Sequence, residues 1–204
     1  MLYLLFSFLV FERFKSSLII LFVMKLPDYL IEKYVRKGKI MIVPKLKKEN
    51  IRPVGVRVHL GREVLAYKKG QVIDLGKEQA PEGIRYDLSK KPFVLRPGEF
   101  ILGHTLEKFK TDKNILCQLD GRSTVARLGL SVHITAATID GTFVEEHGIV
   151  LEIFNHSNVT YALREGLAIG CVTFELMKGK TKTAGMSYKY HGQGGLMPAN
   201  LKKR

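Results

Sequence analysis

Between positions 120 and 152 the chain gathers Asp120, Gly121, Arg122, Ser123, Thr124, Arg127, Asp140 and Glu152. A glycine turn, small hydroxyls, two arginines and three carboxylates are what holding a polyphosphate and activating a water beside it would require. Gly121 admits backbone geometry that other residues avoid. Ser123 and Thr124 begin a short helical turn whose free N–H groups suit an anion. Arg127, four residues after Ser123, shares its face, and Arg122 adds a second guanidinium fit for phosphate oxygens. A capped turn with two solvated arginines has the same signature.

Glu152 lies in Gly148-Ile149-Val150-Leu151-Glu152-Ile153-Phe154. Alternation places Ile149, Leu151 and Ile153 on one face and Val150, Glu152 and Phe154 on the other. Both faces are otherwise apolar, which predicts a central strand. A carboxylate there is costly unless paired or functional; an ion pair with an arginine and a catalytic role both satisfy that condition. Asp140 precedes Gly141-Thr142-Phe143, so its carboxylate and the ring could meet a sugar. Asp-Gly is equally the mark of a plain turn. His133, in Val132-His133-Ile134, reads as structural.

The elements that must position these groups are short. Pro27 and Asp28 open a helical pattern with Leu30, Ile31, Tyr34 and Val35 on one face, and Gly38 stops it. Strand-like runs follow at 40–43, 54–60, 93–95, 100–104, 115–119, 130–135, 149–155, 160–163 and 170–176. Turn residues separate them, among them Arg96-Pro97-Gly98 and Arg164-Glu165-Gly166. Many short strands with close turns predict a mainly β sandwich or barrel, with one N-terminal helix and a helical turn near Ser123–Leu128. Residues 1–23 hold two short apolar runs split by Glu12, Arg13 and Lys15, and neither run reaches the roughly 20 residues of a membrane-spanning helix. They are expected to be an N-terminal extension from a misassigned start, with a peripheral anchor as the alternative. The domain is expected over 24–178 and a closing tail over 179–204.

The formal charge of +14 and pI near 9.8 suggest an anionic partner or simple surface solubility. The lysines are dispersed, which argues against nucleic acid. Cys117 and Cys171 sit singly in apolar runs, without a CxxC pair, so they read as core thiols in a reducing, cytoplasmic setting rather than as zinc ligands.

In family order, the chain carries a GRS-x-x-AR-LGL run from Gly121, TA-x-x-ID ending at Asp140, LE-x-x-N from Leu151 and R-x-G-x-x-IG from Arg164. A KY-x-x-Q-x-G tail follows from Lys189. With these motifs the chain resembles the dCTP deaminase branch of the dUTPase-like superfamily. The resemblance implies a distorted β-barrel and a homotrimer with active sites between subunits. It implies hydrolysis of dCTP to dUTP and ammonia without zinc, with Mg²⁺ carried by the triphosphate. Glu152 would be the general base, and Ser123 and the Ala136 carbonyl would position water. Arg127 would hold Glu152 or the developing charge. Arg122, Ser123 and Thr124 would contact phosphates, Asp140 and Phe143 would read the deoxyribose, and Lys189, Tyr190 and Gln193 would close on the triphosphate. No nucleic acid and no stable membrane insertion are expected. The sequence departs from the family at Arg57, where an aspartate is usual, at Ala137-Thr138, and in a loop over 141–148 about two residues longer than usual. These departures keep open a dUMP-forming deaminase, a dUTP diphosphatase and a non-catalytic nucleotide-binding paralogue.

Overall fold

The computed structural model describes residues 24–184, 190 and 196–201. The expected extension over 1–23 lies outside the described residues, as do Lys189 and Gln193. Helix α1 (Asp28–Arg36) starts behind Pro27, which has no N–H to leave unpaired, and carries Asp28 in its first turn and Lys33 and Arg36 in its last. It ends at Gly38, whose φ of 67° lets the Gly38 and Lys39 N–H groups reach back to the carbonyls of Val35 and Tyr34. Ile31 anchors the helix on the core with no exposure.

Two six-stranded sheets form the body. The first runs β11 (Thr138–Ile139), β9 (Ile115–Gly121), β14 (Ala168–Leu176), β4 (Gly55–His59), β3 (Ile51–Arg52), with β1 (Met24–Lys25) also on β14. The second runs β10 (Leu130–Ser131), β12 (His147–Asn155), β8 (Phe100–Thr111), β5 (Glu63–Tyr67), β6 (Gly83–Asp87), with β2 (Ile40–Val43) also on β8. A small pair, β7 (Phe93–Leu95) and β13 (Tyr161–Leu163), stands apart. The sheets do not close on each other, so the mainly β fold is a distorted barrel.

Val56 and Val58 of β4, Ile149, Leu151 and Ile153 of β12, and Leu119 and Phe174 fill a common core. The Phe109 and Phe174 rings meet there at 6.2 Å. Burying each contributes about 1.5–3 kcal/mol.

The strand at 100–104 is longer than the sequence pattern suggests, because β8 continues to Thr111. Its inward residues there are Thr105, Glu107, Phe109 and Thr111, all nearly buried, and three of the four are polar. Each of the three uses a hydrogen bond to enter the interior: Thr105 Oγ1 donates to the Glu107 carbonyl at 2.6 Å, Glu107 pairs with His59, and Thr111 meets Thr142 at 3.1 Å. The expected strand at 130–135 is only two residues long, because the chain then turns to meet Glu152. The β5–β6 hairpin has no counterpart among the expected strands. Glu63, Arg62, Arg85 and Asp87 dilute its pattern with charge, and those charges pair with one another.

Candidate active site

Glu152 sits mid-strand in β12, between β10 and β8. The expected central strand is observed. Two bonds fasten the 132–134 segment to this residue: the Glu152 N–H donates to the Val132 carbonyl at 2.9 Å, and the Ile134 N–H donates to Glu152 Oε2 at 2.7 Å. Among the described residues no arginine pairs with it. The half-buried carboxylate is held through one oxygen by a backbone amide, which fixes its direction without neutralising its charge.

The carboxylate lines a cavity of about 490 Å³, within the size range of small-molecule sites. Ala136 and Asp140 form one wall. Tyr67, Phe100 and Leu102, from β5 and β8, form an apolar wall opposite polar groups. Two features hold Ala136 and Asp140 in place. The Leu119 N–H binds the Ala137 carbonyl at 2.8 Å, and β11 pairs Thr138 and Ile139 with Gln118 and Cys117. A single turn of 3-10 helix, Gly141–Phe143, follows. It turns Phe143 inward to 8% exposure, off the cavity wall. Cys117, with no exposure, lies under the same loop, and burial pushes its thiol up to about 12.

The cavity also takes in His147, Tyr190 and Met197-Pro198-Ala199. Burial lowers the affinity of the His147 imidazole for a proton, against the opposing pull of Glu145 and Asp140. Leu196 is 4% exposed and packs on Leu65 and Leu102. Its carbonyl accepts Arg85 Nη2 at 2.9 Å, and the Ala199 N–H donates to the Tyr67 hydroxyl at 3.3 Å. The Asn200 N–H donates to the Tyr190 hydroxyl at 3.3 Å. Of the expected tail residues, Tyr190 therefore reaches the cavity. Tyr67, Phe100, Leu102, His147 and 197–199 were not legible as site residues. Only the clustering of β5, β8 and the tail at one place reveals them.

The other expected residues stand elsewhere. After β9 comes the four-residue helical turn α2 (Ser123–Ala126), ending at Arg127, whose N–H binds the Ser123 carbonyl. Gly129 then takes φ 74°, and an added Cβ would meet Ser157 at 2.9 Å. Only glycine makes that turn while letting the His156 N–H bond its carbonyl. Val125 is buried, whereas Ser123, Thr124 and Arg127 are exposed. Arg122 Nη1 donates to the Ala168 carbonyl at 3.2 Å, which steers its guanidinium along β14. None of these four residues lines the Glu152 cavity. One chain thus presents a carboxylate cavity and a separate, exposed cationic turn.

The chain thus combines a mainly β fold with a half-buried carboxylate in a cavity and a separate, exposed cationic turn. The family model described as dCTP deaminase-like matches residues 25–177. A dCTP deaminase of Buchnera aphidicola subsp. Schizaphis graminum is 34% identical over 193 residues, covering 87% of this chain and 98% of that protein. A dCTP deaminase of Pasteurella multocida is 38% identical over 167 residues, 76% of this chain and 85% of that one. Among solved structures, the 2'-deoxycytidine 5'-triphosphate deaminase from Agrobacterium tumefaciens superposes with a TM-score of 0.57 at 16% identity. That match covers 74% of this chain and 48% of the solved one, and supports the fold. This chain belongs to the dCTP deaminase-like family.

Proposed function

We propose that this protein hydrolyses dCTP to dUTP and ammonia, as a zinc-independent deaminase acting on the cyclic amidine of cytosine. The observation that carries the reading is Glu152: a carboxylate aimed into a nucleoside-sized cavity, held by the Ile134 amide, in a chain of this family. Water adds to C4 of the base as Glu152 takes its proton. The C4–O bond forms, the ring nitrogen accepts the displaced π electrons, and a tetrahedral carbon results. Glu152 then returns that proton to the amino group, the ring nitrogen's pair re-forms the double bond to C4 as the C4–N bond breaks, ammonia leaves, and transfer of the C4 hydroxyl proton to the ring nitrogen gives the uracil ring. The Ala136 carbonyl and the Ser123 hydroxyl orient the water, and Arg127 steadies Glu152 or the developing charge.

Ser123, Arg127, Arg122 and Thr124 do not reach this cavity in their own chain, so in this reading a neighbour supplies them. The working unit is a homotrimer with shared sites. Arg122, Ser123 and Thr124 grip the phosphates, and Asp140 binds the deoxyribose with Phe143 packed behind it. Lys189, Tyr190 and Gln193 close the tail over the triphosphate. Magnesium rides on the triphosphate, whose oxygens and waters suit it. Among the described residues no group of three His, Cys, Asp or Glu side chains is set to hold an ion. The catalytic fold spans 24–178, with 179–204 as the tail, and the setting is cytoplasmic. Among the described residues no helix is long and apolar enough to cross a membrane.

Asp140, on the wall of the same cavity, favours one second reading. Its carboxylate would activate water against the α-phosphate and release dUMP and pyrophosphate. Incubation with dCTP and with dUTP, scoring ammonia and pyrophosphate separately, tests both. Ammonia alone supports the deaminase, pyrophosphate supports the second reading, and neither product overturns both.

A further inference from the structure

A second basic concavity lies away from the Glu152 cavity, between the first sheet and β8. It has a volume of about 440 Å³ and is lined by Lys45, Lys47, Arg57 and His59, with Glu49 and Glu107. Arg57 and His59 alternate with Val56 and Val58 on β4. The valines are fully buried, so the two basic side chains point out of the core. Glu107 is already engaged: its two oxygens accept the His59 N–H at 2.8 Å and meet His59 Nδ1 at 2.6 Å. Glu49 stands exposed at the edge. Lys45, Lys47 and Arg57 are therefore opposed by one free carboxylate.

Arg57 is the telling residue. Its side chain is half-buried on a strand, and among the described residues no hydrogen bond or ion pair holds the guanidinium. A partly desolvated cation without a counter-charge is unfavourable unless an anion supplies one. Neighbouring lysines worsen the repulsion.

We propose that this concavity is a second anion site that takes the polyphosphate chain of a small molecule. Arg57 forms the floor contact through its planar fork, and Lys45 and Lys47 close on the outer phosphates. Its lining residues include none of Arg122, Ser123, Thr124 or Glu152. The inference does not rest on the deaminase reading, because binding there requires no turnover.

The test is calorimetric titration of the full chain with inorganic tripolyphosphate, compared with orthophosphate. Two binding events per chain are expected, with tripolyphosphate the tighter ligand. Arg57→Asp should remove one event and leave the other, which Arg122→Ala should weaken instead. Arg57→Gln, which adds no buried carboxylate, should weaken the first event by roughly tenfold or more; thermal melting establishes that each variant is folded. The dCTP turnover of Arg57→Gln should match the unaltered chain in the absence of added polyphosphate. A single binding event in the unaltered chain would overturn the proposal. Unchanged binding by folded Arg57→Gln would overturn it as well. So would a parallel loss of dCTP affinity in Arg57→Gln, since that would assign Arg57 to the turn around Arg122.

Discussion

The Glu152 cavity and the Arg122–Arg127 turn differ in how the chain builds them. Glu152 is on an interior strand, its backbone and carboxylate both fastened to the 132–134 segment. The turn is four residues of helix anchored by buried Val125, with its hydroxyls and Arg127 left in solvent. The difference is chemical. A general base works only if its direction is set before substrate arrives. Groups proposed to grip phosphates tolerate more freedom, and on the proposed shared site they would have to stay open to serve a cavity on another chain.

The sharpest way to break this comparison is to remove the base. Glu152→Gln should lower deamination by about 10²–10⁴-fold while nucleotide binding persists, measured by ammonia release and by titration. Near-normal release would strip the cavity of its catalytic role. Mixing sharpens the claim that the two regions serve different chains. Arg127→Ala and Glu152→Gln, each inactive alone, should recover ammonia release when dissociated and reassembled together, because some mixed sites pair an intact cavity with an intact turn. No recovery would place both residues in one chain's site.

A milder effect is expected at the cavity mouth. Ending the chain after Lys182 removes Tyr190 and the Leu196 contacts with Arg85, Leu65 and Leu102. It should raise the Michaelis constant for dCTP on the order of tenfold, about one charged hydrogen bond's worth. The outcome is read from initial rates. Unchanged kinetics would make the tail irrelevant to the site.

The smallest effect belongs to His147. Its burial favours the neutral ring, so the unfolded chain binds the extra proton first as pH falls below about 6.5. Stability is therefore full above that value and declines with acidification through the lowered folded-state range. His147→Asn should flatten this decline in melting temperature against pH. An identical slope in the variant would show that another group dominates.

Much of the fold was legible because strand periodicity and turn residues are local signals. Helix α1, the turn at Ser123, the strands at 40–43 and 93–95, and the central strand of Glu152 follow from residue order alone. The far half of β8 was not, since its inward threonines and Glu107 look solvent-facing until partners from β4, β12 and the 3-10 turn satisfy them. The residue types and spacing around 120–152 marked Glu152 and the Arg122–Arg127 turn as the groups proposed to carry chemistry, because a lone carboxylate in an otherwise apolar strand is costly unless paired or functional. Tertiary structure alone decided that these groups fall into two separate regions and that Phe143 turns inward. It also brought Tyr67, Phe100, Leu102 and the 197–199 segment together around one cavity. Those outcomes depend on contacts between residues as much as 132 positions apart, such as Tyr67 with Ala199, and no local pattern encodes such a distance.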